Sequence, residues 1–173
     1  MAPRRSPSDG GTGTGRETVR ITSSAFTDGD RIPREYTREG TDRSPPLQVE
    51  DVPAEARSMA LVVDDPDAPA RTWVHWLIWG IPADRGEIPA GVPTGDVVGS
   101  LGGARQGTND FGEIGYGGPM PPRGHGTHHY RFTAYALSGA LELPPGAGRA
   151  ELDSALEGRT LETARLTGTY ERA

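Results

Sequence analysis

Two apolar runs of strand length, Ser58 to Val63 (SMALVV) and Val74 to Trp79 (VHWLIW), stand on either side of a short segment locked by prolines. Each is too short for a helix and almost uniformly apolar, so each reads as a strand buried on both sides. With Trp73 included, period-two alternation puts Trp73, His75, Leu77 and Trp79 on one face and Val74, Trp76 and Ile78 on the other. Weaker strand signals surround this pair. Thr18 to Thr22 (TVRIT) predicts an edge strand, and Leu47 to Val52 (LQVEDV) a strand with one solvated face. Tyr130 to Leu137 (YRFTAYAL) alternates, with Tyr130, Phe132, Ala134 and Ala136 on one face, and Ala164 to Tyr170 predicts a last strand. An Asp28-Gly29 turn breaks Phe26 to Pro33. The helical pattern is confined to Leu152 to Arg165, where Leu152, Ala155, Leu156 and Leu161 form a stripe that Gly158 interrupts. The expectation is a mainly β, antiparallel domain with a helix near its C-terminus.

A chain of 173 residues suffices for one domain with a proper core. The start, MAPRRSPSDGGTGTG, is rich in Gly, Ser, Thr and Pro and cannot bury apolar area. Residues 1–16 are therefore expected to be a disordered tail, and residues 17–173 a single domain. The tail lacks the apolar region of a signal peptide, and no run is long enough for a membrane-spanning helix. A cytoplasmic protein without stable membrane insertion is expected.

Composition removes several chemistries. A net charge of -6 argues against nucleic acid as a partner, since phosphates need a basic face. There are no cysteines, which excludes disulfides, thiolate catalysis and Cys-ligated zinc. All 18 basic residues are arginine, so the lysine of a phosphate-binding P-loop and the amine of Schiff-base enzymes are missing. No cofactor is expected.

Two loops hold the unusual residues. Directly after the first buried strand comes Asp64-Asp65-Pro66-Asp67-Ala68-Pro69. Proline fixes its own φ and restricts the residue before it, so Asp65 and Ala68 are held extended. The segment fits a rigid acidic wall of a site. It fits equally an Asx-type turn whose carboxylates cap backbone N–H groups. The second loop, Gly112 to Tyr130 (GEIGYGGPMPPRGHGTHHY), holds three of the four histidines. Its glycines can expose backbone N–H groups to an anion while its prolines keep it stiff; the alternative is a floppy connector. His75, in mid-strand, fits a core histidine satisfied by a carbonyl, or one oriented by a carboxylate toward a ligand.

Taken in order, SPPL (Ser44 to Leu47), LVVDDPDAP (Leu61 to Pro69), TWVHWLIWGIP (Thr72 to Pro82), GTNDFGEIGYGGPMPP (Gly107 to Pro122), HHYRFTAYAL (His128 to Leu137) and LTGTY (Leu166 to Tyr170) resemble the phosphatidylethanolamine-binding protein family. The resemblance is to its bacterial and archaeal branch of Raf kinase inhibitor-like proteins. It implies a β-sandwich with one or two short C-terminal helices and a pocket for phosphate or phosphorylethanolamine groups. It implies that Asp65, Asp67, Trp73, His75, Met120, Pro122, His128 and Tyr130 bind the ligand. Met120 would do so through its backbone. It further implies a non-catalytic protein that modulates kinases or proteases, and a homodimer is compatible with it. His129 stands where the family usually has arginine, and Met120 where prokaryotic relatives often have cysteine. Gly158-Arg159-Thr160-Leu161 replaces the usual Gly-His-x-Leu. Two other functions fit the residues. One is a hydrolase using a His-Asp base, for which no nucleophile elbow is present. The other is a metal site of His125, His128, His129 and Asp65, whose spacing is unlike that of zinc enzymes.

Overall fold

The computed structural model describes residues 18–173, so the expected N-terminal tail lies outside the described residues. Among the described residues, nine strands form two antiparallel sheets. They are β1 (Arg20–Thr22), β2 (Leu47–Glu50), β3 (Ser58–Asp65), β4 (Trp73–Pro82), β5 (Glu87–Ile88), β6 (Val97–Val98), β7 (Ala104–Gln106), β8 (His128–Leu137) and β9 (Thr160–Tyr170). The small sheet runs β1-β2-β5 and the large one β6-β7-β4-β3-β8-β9. The two apolar runs become β3 and β4, adjacent strands at the centre of the large sheet, and every residue of β3 is buried. Alternation divides their side chains between two cores. Met59, Leu61, Val63, Trp76 and Ile78 pack between the sheets against Ile21, Val49 and Ile88. Ala60, Val62, Val74, Leu77 and Trp79 pack on the other face, under Leu141, Leu143 and the helix residues Leu152 and Leu156.

The period breaks at His75. Val63 pairs with Trp76, but Asp64 pairs with Val74, so His75 falls in a β-bulge opposite no residue of β3. This corrects the strict alternation read from the sequence. Val74 shares a core with Leu77 and Trp79, not with Trp76 and Ile78. A bulge bends a strand and re-aims its extra residue, and here that residue is the histidine.

The C-terminal region also differs from the pattern. The helix, α1, is Arg149–Leu156 alone; Glu151 reaches back to the Gly148 N–H at 2.8 Å to start it. Gly158 at φ +77° ends it, and the chain then runs as the 11-residue strand β9. Leu161 lies on no buried stripe; it sits at a register irregularity and is 40% exposed. The pairing of β9 with β8 from His128 to Leu137 supplies backbone hydrogen bonds that outweigh the modest helical preference of Leu, Glu, Ala and Arg.

Candidate functional site

At Asp65, β3 ends and the proline-locked turn begins. Its carboxylate performs two tasks. Oδ1 accepts the Asp67 N–H at 2.8 Å, which is the Asx-type turn. Oδ2 accepts a hydrogen bond from Nδ1 of His128 at 2.6 Å, with both side chains buried. One oxygen of Asp65 thus makes the Asx-type turn while the other holds His128. His128 is the first residue of β8, and its Nε2 lies 2.6 Å from Nδ1 of the exposed His125. The protein therefore engages both nitrogens of His128.

His75 is held from the other side. Its Nδ1 lies 2.6 Å from the Gly117 carbonyl, to which it donates, and the Gly117 N–H donates to the His75 carbonyl at 2.9 Å. Burial lowers the His75 pKa below the ordinary histidine value, outweighing the Gly117 carbonyl and the Asp65 charge. His75 is therefore neutral near pH 7. With its proton on Nδ1, its Nε2 is an acceptor. Phe111 and Tyr130 meet the ring edge-on, at centroid distances of 5.4 and 5.2 Å.

The Gly-Pro loop is a built wall, not a floppy connector. Gly115 to Pro119 are buried. The Asn109 amide accepts from the Phe111 and Glu113 N–H groups and donates to the Gly115 carbonyl. Tyr116 donates to the Tyr36 carbonyl at 2.6 Å, and the Gly118 N–H donates to Asp42 at 2.7 Å. The loop runs along the start of β4 through the Asp110 N–H, bonded to the Val74 carbonyl, and through Gly117.

Between these walls lies a cavity of about 230 Å³, lined by Asp65, Ala68, Pro69, Trp73, His75, Phe111, Met120, Pro121, Pro122, His128 and Tyr130. In two of the lining residues the polar atom is itself covered: the Trp73 Nε1–H makes no hydrogen bond, and the Tyr130 hydroxyl has only a loose interaction with Asp65. Burial and then the Asp65 charge push the Tyr130 phenol far above its ordinary pKa, so it remains a donor. Two guanidinium groups back the aromatic walls: Arg38 lies 4.1 Å over the Phe111 ring and Arg71 lies 5.5 Å over that of Trp73.

Seven of the eight residues expected at the site line this cavity. Asp67 does not. Its carboxylate accepts from the backbone N–H and Nδ1 of His129, at 2.8 and 2.7 Å, on the exposed side of the turn. Burial works against its ionisation, but the His129 hydrogen bonds prevail and lower its pKa. His129, standing where arginine is usual, thus serves Asp67. This separates His129 from the His125–His128 pair, and no cluster of three metal-ligating side chains occurs among the described residues. Sequence reasoning did not single out Phe111, Pro121, Ala68 or Pro69 as site residues. The last two lie inside the proline-locked turn, and Phe111 is one of two aromatic residues, with Tyr116, in a Gly-rich stretch.

Fold and site together define the class: an antiparallel β-sandwich with a small, polar-based cavity between its central strands and a Gly-Pro loop. The chain belongs to the phosphatidylethanolamine-binding protein family, whose sequence profile matches residues 22–171. It is similar to a UPF0098 protein of Pyrococcus abyssi, 49% identical over 160 residues that cover 92% of this chain and 89% of that one. It is also similar to LppC of Mycobacterium tuberculosis, whose given name marks a candidate lipoprotein. That likeness is 42% identity over 156 residues, 90% of this chain and 73% of the other. The crystal structure of Escherichia coli YbcL, described as a new member of the mammalian family, superimposes with a TM-score of 0.83 at 32% identity. It covers 91% of this chain and 100% of YbcL. Among the described residues, no helix is long and apolar enough to cross a membrane.

Proposed function

We propose that the cavity binds a small phosphorylated group of the phosphate or phosphorylethanolamine kind, held as its monoanion. The observation that carries this reading is the cavity lining, which gathers Trp73, Tyr130, His75 and His128 around one small space beside Asp65. The Trp73 Nε1–H makes no hydrogen bond, which costs roughly 1–3 kcal/mol, and a small turn of the ring would bring it to an anion oxygen. The volume of about 230 Å³ is below that of pockets for drug-sized ligands, about 300–1,000 Å³, so it suits a head group and not a whole lipid. The Asp65 carboxylate at the base suits an ammonium or hydroxyl group carried by the same ligand.

Neutral His75 sets the protonation state. Its Nε2 acceptor is matched by a protonated phosphate oxygen, which the monoanion has and the dianion lacks. A second negative charge beside Asp65 is also repelled. The second pKa of a phosphate monoester is about 6. Affinity for phosphorylethanolamine should therefore fall as pH rises, approaching tenfold per unit once the dianion dominates. Titration calorimetry from pH 5.5 to 8.5 tests this. A flat profile contradicts it, as does tighter binding at high pH.

A further inference from the structure

We propose that His125, which lies outside the cavity lining, is a latch on His128 that an incoming anion displaces. The proposal rests on the anion-binding reading above and names what controls it. Asp65 fixes the proton of His128 on Nδ1, at 2.6 Å, which leaves Nε2 as the nitrogen able to serve a ligand. That nitrogen is already spent: Nδ1 of His125 lies 2.6 Å away. The contact holds one proton. If the proton sits on His125, His128 Nε2 accepts it; if it sits on His128, the imidazolium donates it to His125. In neither case is Nε2 open to the cavity, although the His128 ring lines it. Of the two cavity histidines, His128 is thus closed to a ligand until His125 leaves.

His125 is built to leave. It is exposed, whereas His128 is buried, so swinging outward returns it to water without opening a core. Gly124 and Gly126 flank it, at φ +70° and +89°, and nothing lies within 4 Å of where a Cβ would stand on either. The ring moves on two residues with wide backbone freedom in open space. On the far side, β8 and the Asp65 contact keep His128 in place while its partner changes. The exchange is one hydrogen bond to His125 for one that the imidazolium form of His128 donates from Nε2 to the anion.

The test compares the wild-type chain with His125→Ala by calorimetric titration of phosphorylethanolamine. It is paired with nuclear magnetic resonance of ¹⁵N-labelled histidine rings. Removing the latch should tighten binding about two- to tenfold, the factor one net hydrogen bond is worth. In the free wild-type protein, scalar coupling across the N–H···N contact should link His125 Nδ1 and His128 Nε2, and saturating ligand should abolish it. Equal or weaker binding by His125→Ala overturns the latch while leaving the anion site standing. Coupling that persists in the saturated protein does the same. Binding by neither protein overturns the anion site, and the latch with it.

Discussion

Asp65→Ala is expected to abolish phosphorylethanolamine binding and to lower stability by about 3 kcal/mol, the upper end for leaving a buried donor without its partner. The loss begins with the His128 Nδ1–H, which Asp65 accepts at 2.6 Å and which has no other acceptor in its buried position. An unpaired donor there rotates the ring, strands a polar group, or draws water into the base of the cavity. The same substitution removes the acceptor of the Asp67 N–H and so loosens the turn that carries Ala68 and Pro69 on the cavity wall. Asp65→Asn keeps one acceptor oxygen, enough for the Nδ1–H or for the turn but not for both, and should recover only part of the stability. Urea unfolding of the two variants checks the ordering. If Asp65→Ala is as stable as the wild type, His128 is not anchored as described.

Gly118→Ala is expected to cost about 2–3 kcal/mol and to weaken ligand binding at the same time. A Cβ at this position would stand 2.5 Å from the Tyr36 carbonyl oxygen and 2.7 Å from the Asp42 carboxylate. The first neighbour is backbone, and the second is held by the Gly118 N–H itself, so neither yields easily. The loop must move outward, taking with it the adjacent Gly117 carbonyl that fixes the His75 proton on Nδ1. His75 then loses its defined tautomer and the cavity its matched acceptor. Urea unfolding together with calorimetry measures both effects. A variant with lowered stability and unchanged affinity would separate the loop from the control of His75.

The sequence displayed the components of this site better than their directions. The central strands were legible because Ser58 to Val63 and Val74 to Trp79 are apolar at nearly every position, a pattern that few structures other than a doubly covered strand accommodate. Asp65, His75 and His128 stood out because charged or ionisable groups directly at the ends or middle of such strands need partners. The bulge at His75 was not legible, because register belongs to the pair of strands and not to either one. Asp65 and Asp67 are two residues apart and would share a face in a continuing strand. The chain turns between them, so one carboxylate faces the cavity and the other His129. Nothing local distinguishes His125 from His129 in G-H-G-T-H-H; their opposite fates are set by strand pairing and by the side of the turn each meets. The misread helix has the same origin. Thr160 to Arg165 has residues acceptable in a helix, and the unpaired edge of β8 decides otherwise.

The most direct measurement is a crystal structure of the protein grown with phosphorylethanolamine below pH 6. Phosphate oxygens should lie within hydrogen-bond distance of both Trp73 Nε1 and Tyr130 Oη, with a third oxygen facing His75 Nε2. A cavity filled by water alone, or a phosphate held elsewhere, would contradict the central claim.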